Sequence, residues 1–105
     1  MRVLVCGGRA YTNKVFLYEV LDQLHKELFV DAIVEGDAPG VDRMAGYWAK
    51  KNKVDLYLYP ANWSKYGRAA GPIRNQQMLD QGRPDLVLAF PGGKGTANMV
   101  RLARE

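Results

Sequence analysis

Four short apolar runs, each cut off by glycine or proline, leave this chain few ways to fold. Arg2-Val3-Leu4-Val5-Cys6 stops at Gly7-Gly8, and Asp31-Ala32-Ile33-Val34-Glu35 stops at Gly36-Asp37-Ala38-Pro39-Gly40. Asp55-Leu56-Tyr57-Leu58-Tyr59 ends at Pro60, and Asp85-Leu86-Val87-Leu88-Ala89-Phe90 ends at Pro91-Gly92-Gly93. Such runs read as strands buried on both faces. Between them the period changes to that of a helix. Leu17, Leu21, Leu24 and Leu28 share one helical face, with Glu19, Asp22, Lys26 and Glu27 mostly off it. Val41, Met44, Ala45, Trp48 and Ala49 repeat that spacing. Pro72 suits the first turn of a third helix, with Gly71 before it, Ile73, Met78 and Leu79 inside and Gly82 as its stop. Thr96 is placed to cap a fourth, which carries Met99, Val100, Leu102 and Ala103.

Strands alternating with helices pair in parallel, with helices on both faces of the sheet. Right-handed crossovers then predict strand order 3-2-1-4, a small Rossmann-like three-layer α/β fold. The 105 residues are expected to form one domain, 1–105. Hydrophobic residues at 48% and charged residues at 25% exclude a disordered chain. No apolar run approaches the roughly 18 residues of a membrane span, and Met1–Val5 is too short for a signal peptide. A lone cysteine, Cys6, excludes an internal disulfide and a Cys-rich zinc site, so a cytoplasmic protein is expected. The net charge of +4 favours anionic partners such as nucleotides, nucleic acid or acidic proteins, although no basic block concentrates it.

In such a sheet the strand-to-helix loops share the carboxyl edge, where ligands bind, above all at the switch point between strands 1 and 4. The unusual residues fall in those loops: Gly7-Gly8-Arg9-Ala10-Tyr11, Gly36–Arg43, Pro60–Asn75 and Pro91–Thr96. In the last, Gly92, Gly93 and Gly95 let backbone N–H groups approach an anion, Lys94 adds charge, and Thr96 opens a helix with an electropositive end. No Gly-Lys-Ser/Thr follows a glycine at the spacing of a Walker loop. Gly7, Gly8 and Arg9 lie opposite and could clamp the same phosphate; the plainer reading is that these glycines only turn the chain.

Gly7–Tyr11, Gly36–Asp42, Asn62-Trp63 with Gly71–Asn75, and Phe90–Thr96 occur in order, and together they resemble the YspA/YpsA-related branch of the SLOG superfamily. The likeness spans nearly the whole chain. That superfamily includes the LOG nucleotide phosphoribohydrolases and the DNA-binding protein DprA. The resemblance implies a Rossmann-like domain that binds a nucleotide or nucleotide-derived ligand, often in bacteria or phages. Pro91–Thr96 matches the LOG phosphate loop, and Arg74 resembles the LOG active-site arginine. Where LOG enzymes place a glutamate three residues after the threonine, this chain has Met99. N-glycosidic cleavage builds positive charge on the ribose that a carboxylate stabilises and a thioether does not. Hydrolysis of that kind would need Asp37 or Asp42 instead.

Asp42 could charge the first turn of the second helix or bond ribose hydroxyls, and Asp37 lies nearer the strand end, which favours it as site-lining. Trp63 and Tyr66 sit in a polar, basic loop; Trp63 could stack on a base or plug the edge of the core. Arg9, Lys65, Arg68, Arg74 and Lys94 would converge on the anion, beside Asn75. Cys6 reads as a small buried residue, and His25 lies on the wrong edge. No metal-ligand spacing or nucleophile triad is present, so neither metal nor cofactor is expected.

Three functions fit these residues. The first is a nucleotide-binding module that senses or sequesters its ligand. The second is a LOG-type nucleotide hydrolase using Arg74 with Asp37 or Asp42. The third is DprA-like binding of single-stranded nucleic acid. Relatives continue past the fourth helix into a further strand, whereas this sequence stops at Arg104-Glu105. Leu86–Phe90 would then be an apolar edge strand, covered by a second subunit or left bare by a shortened chain.

Overall fold

The computed structural model describes Met1–Glu105. Strands β1 (Arg2–Cys6), β2 (Ala32–Glu35), β3 (Asp55–Leu58) and β4 (Leu86–Ala89) form one parallel sheet in the order β3-β2-β1-β4, as the alternation predicts. The register sets Val3 between Ile33 and Leu86, and Val34 between Leu4 and Tyr57. The outer edge of β4 pairs with no strand of the chain.

Side-chain alternation along β1 builds two cores. Val3 and Val5 join Ile33 under helices α1 (Lys14–Leu28) and α2 (Val41–Lys51), where they meet Leu17, Leu21, Ala45 and Trp48. Leu4 and Cys6 join Val34 on the opposite face, against Met78 of α4 (Ala70–Gly82) and Met99 of α5 (Lys94–Arg104). Each such large apolar side chain, fully buried, contributes about 1.5–3 kcal/mol. Trp48 is buried with its polar edge satisfied: its Nε1 donates to Asp22 Oδ1 at 2.8 Å. No helix is long and apolar enough to cross a membrane.

Only β1 and β2 are buried on both faces as expected; β3 and β4 are the edge strands, β3 largely exposed and β4 mostly half-buried. Four further local features differ from the sequence expectation. The stretch read as a basic loop holds a short helix, α3 (Trp63–Tyr66), capped by Asn62 Oδ1, which accepts from Lys65 N at 3.1 Å. A 3-10 turn, Gly67–Ala69, leads directly into α4, which therefore starts at Ala70 with Pro72 still inside its first turn. Gly82 is the last helical residue, and the left-handed cap is Arg83. A Cβ on Gly82 would come within 2.9 Å of Val34 Cγ1, so glycine serves close helix–sheet packing there, not the turn. Thr96 is not a cap: Gly93 precedes α5, and Thr96 lies inside its first turn.

Candidate functional site

The loops after β1, β2 and β4 lock together at the carboxyl edge. Gly8 N donates to Pro91 O at 2.9 Å, and Val41 N donates to Gly8 O at 3.3 Å. Gly40 has φ of 80°, and a Cβ there would run into the carbonyls of Gly8 and Arg9. A Cβ on Gly92 would come within 2.7 Å of Gly8 N. Gly40 and Gly92 are thus explained by loop packing alone. Gly93 and Gly95 are not. Neither has positive φ, and a Cβ on either would meet no atom within 4 Å.

Both open onto a cleft of about 1230 Å³. From the β1 loop it is lined by Gly7, Gly8 and Arg9, from α2 by Asp42, and from the β4 loop by Gly92, Gly93, Lys94, Gly95 and Thr96. Trp63, Arg68, Arg74 and Asn75 form the opposite wall. A second hollow of about 730 Å³ lies beyond the β4 loop, between Ala89–Pro91 and Val100, with Arg101, Arg104 and Glu105 at its rim. It lacks the convergence of loops that marks the first.

Arg74 spans the two faces of the sheet. Its Nη1 donates to Gly36 O at 2.8 Å, and its Nε donates to Asn75 Oδ1 at 3.1 Å. Asn75, itself buried, donates through Nδ2 to Gly95 O at 3.1 Å and Asn98 Oδ1 at 2.9 Å. The guanidinium is thereby anchored to the first turn of α5. Burial lowers the Arg74 pKa; the charge of Asp42 opposes this and that of Arg9 adds to it. Neither Arg74 nor Arg9 belongs to an ion pair of the chain. Two guanidiniums thus share one cleft without a paired carboxylate, an arrangement suited to a bound anion.

The two candidate carboxylates part company. Asp42 is 6% exposed and faces the cleft, where its Oδ2 accepts from Ala38 N at 3.2 Å. Burial raises its pKa, against the amides of Ala38 and Gly36 and the charge of Arg74. Asp42 also ties down the turn before α2, in whose first turn it lies, as one of its two expected roles requires. Asp37, favoured from its place near the strand end, turns away. Its backbone is left-handed at φ 56°, its side chain is exposed, and its Oδ1 lies 3.7 Å from Arg43 Nε, outside the cleft. Gly36 does not line the cleft either, but its carbonyl holds Arg74.

Of the five expected cations, Lys65 is diverted: its Nζ sits 5.0 Å from the Tyr66 ring centroid, and neither residue lines the cleft. Trp63 is 48% exposed at the mouth, with the Arg9 guanidinium 5.5 Å from its ring centroid, so it does not plug the core. Met99 is fully buried in the core. Cys6 is 7% exposed at the cleft floor, and burial, helped by Asp42, pushes its thiol up to about 12.

Two participants escaped the sequence reading. Asn98 secures Asn75, and nothing in its local sequence signals that role. Glu35, at the end of β2, is 1% exposed; its Oε1 accepts from Asp37 N at 2.6 Å, and burial pushes its carboxyl up to about 8. Its signal was available. Two positions after Ile33 in a strand buried on both faces, a glutamate must point into the core.

The sequence model of the YspA, cpYpsA-related SLOG family matches residues 1–66. The chain belongs to that family. The part matched to the SLOG family ends with α3, so it holds the cleft residues from Gly7 to Trp63; Arg68, Arg74, Asn75 and the β4 loop lie beyond it. The SLOG family chain is also 33% identical over 112 residues to the Gene 61 protein of Mycobacterium phage D29, covering 99% of this chain and 89% of that protein. No solved structure matches it.

Proposed function

We propose that the cleft binds a nucleotide or nucleotide-derived phosphate ligand, and that the protein acts as a cytoplasmic module that senses or sequesters it. Gly93 and Gly95 carry this reading. They sit at the positive end of α5, where neither packing nor backbone angle calls for glycine, and they face Arg9 and Arg74 across open space. A phosphate there would approach bare backbone amides between two unpaired guanidiniums. In this reading Asp42 takes ribose hydroxyls, and Trp63 takes a base at the mouth. Membership of the SLOG family supports a nucleotide-related ligand.

The test is to unfold the purified protein gently and identify any released small molecule by mass spectrometry. A nucleotide screen by thermal shift follows, since a ligand of the native state raises Tm. Nucleotides that leave Tm unchanged at millimolar concentration would overturn the reading. Affinity confined to single-stranded nucleic acid and falling steeply with salt would replace it with the strand-binding alternative.

Asp42 also keeps hydrolysis in play, because it supplies a carboxylate inside the cleft where Met99 cannot. It is the one carboxylate among the lining residues, with no second acid or base beside it, and binding without cleavage is therefore preferred. Release of free base from nucleoside monophosphates, abolished by Arg74→Ala, would establish the hydrolytic function instead.

A further inference from the structure

Arg9 and Trp63 come from different segments, the loop after β1 and the start of α3, and meet at the mouth of the cleft. Trp63 is held by one edge: its Cη2 lies against Gly71, where an added Cβ would be 3.3 Å away. The Arg9 guanidinium lies over the indole, 5.5 Å from the ring centroid, and partly screens it. The Arg9 side chain is exposed, donates no hydrogen bond within the protein and belongs to neither of the ion pairs, Met1–Asp31 and Arg43–Asp37. An exposed cation–π contact is weak, equivalent to about a twofold to fivefold preference. Charge-assisted hydrogen bonds to a phosphate are stronger. The two guanidiniums also repel each other, and an anion between them would relieve that repulsion.

We propose that Arg9 is the specificity-determining residue of the cleft: it covers Trp63 until a phosphate draws its guanidinium toward the glycine loops, which uncovers the indole for the planar base of the same ligand. This rests on the nucleotide-phosphate reading above. The ligand class narrows accordingly, to aromatic bases carrying phosphate. A free base or nucleoside has to displace Arg9 with no anion to hold it elsewhere, and so is disfavoured. Linkage makes the effect reciprocal, since phosphate tightens the base by the same factor as the base tightens phosphate.

Acrylamide quenching of tryptophan fluorescence reads this directly, because Trp48 is fully buried and Trp63 is half-exposed. The probes are pyrophosphate and adenosine, with pyrophosphate binding followed independently by calorimetry. Saturating pyrophosphate should raise the quenching of wild-type protein and tighten adenosine binding about twofold to fivefold. Arg9→Ala should be readily quenched from the start, gain nothing further from pyrophosphate, and bind adenosine about twofold to fivefold tighter than wild type. Trp63→Phe should abolish the quenching response. If pyrophosphate binds but quenching stays unchanged, or if adenosine binds wild type and Arg9→Ala equally, the role of Arg9 is overturned while the phosphate site stands. If pyrophosphate does not bind at all, the phosphate reading fails, and this proposal with it.

Discussion

Arg74 Nη1 donates to Gly36 O at 2.8 Å, joining a helix on one face of the sheet to the end of the strand that feeds α2 on the other. The bond fixes the guanidinium at the cleft while its charge remains unpaired. Arg74→Ala should therefore lower stability by about 1–2 kcal/mol and weaken nucleotide binding at least about tenfold. Gly36→Ala attacks the same contact from the other side: its Cβ would overlap the guanidinium, with Cζ 2.7 Å away. Introducing Gly36→Ala should cost less stability in the Arg74→Ala background than in wild type. Urea denaturation of the four proteins of this cycle reads the coupling, and additive costs would show that Arg74 does not depend on that carbonyl.

Gly95→Ala separates packing from ligand approach. No protein atom lies within 4 Å of the added Cβ, and the residue is in the first turn of α5, so stability should hold or rise by up to about 1 kcal/mol. Nucleotide affinity should fall about tenfold, because the methyl group enters the space a phosphate would use. Calorimetry and thermal melts on the same variant give both numbers. Undiminished affinity would place the phosphate elsewhere.

Glu35 makes stability depend on pH. Its folded value of about 8 stands above the ordinary 4.5, mainly through burial, so folding favours the protonated form. Its contribution is complete below 4.5 and is lost as pH rises through about 8. Glu35→Gln stays neutral and can still accept from Asp37 N. Relative to that variant, wild type should lose on the order of a few kcal/mol between pH 5 and 8.5, about 5–15 °C in Tm. Asp42 is raised in the same direction, and its charge also raises Glu35, so the comparison reads Glu35 together with that coupling. Parallel Tm–pH curves would show that Glu35 is ionised in the folded state.

The Cys6 thiol should be inert. With its pKa pushed up to about 12, it is almost wholly protonated near pH 8, and a disulfide reagent should modify native protein about a thousandfold more slowly than unfolded protein. Rapid native labelling would mean that the cleft floor opens.

Strand order, the helical faces and the placing of glycine loops at one sheet edge were legible because each follows from a local signal: apolar period, turn residue, alternation. Gly93 and Gly95, read from the sequence as phosphate-binding, line the cleft at that edge. Local pattern could not choose between Asp37 and Asp42. They are five residues apart, and the choice depends on a left-handed backbone at Asp37 that carries its carboxylate out to Arg43. Nor could it foresee that Lys65 would be spent on Tyr66, that Arg9 would lie on Trp63, or that Asn98 would secure Asn75 across two helices. Along the chain, side-chain chemistry and spacing settled which segments form the sheet and where its open edge lies. Which charges stay unpaired at that edge was settled only by folding, because burial and pairing are properties of groups brought together from distant segments.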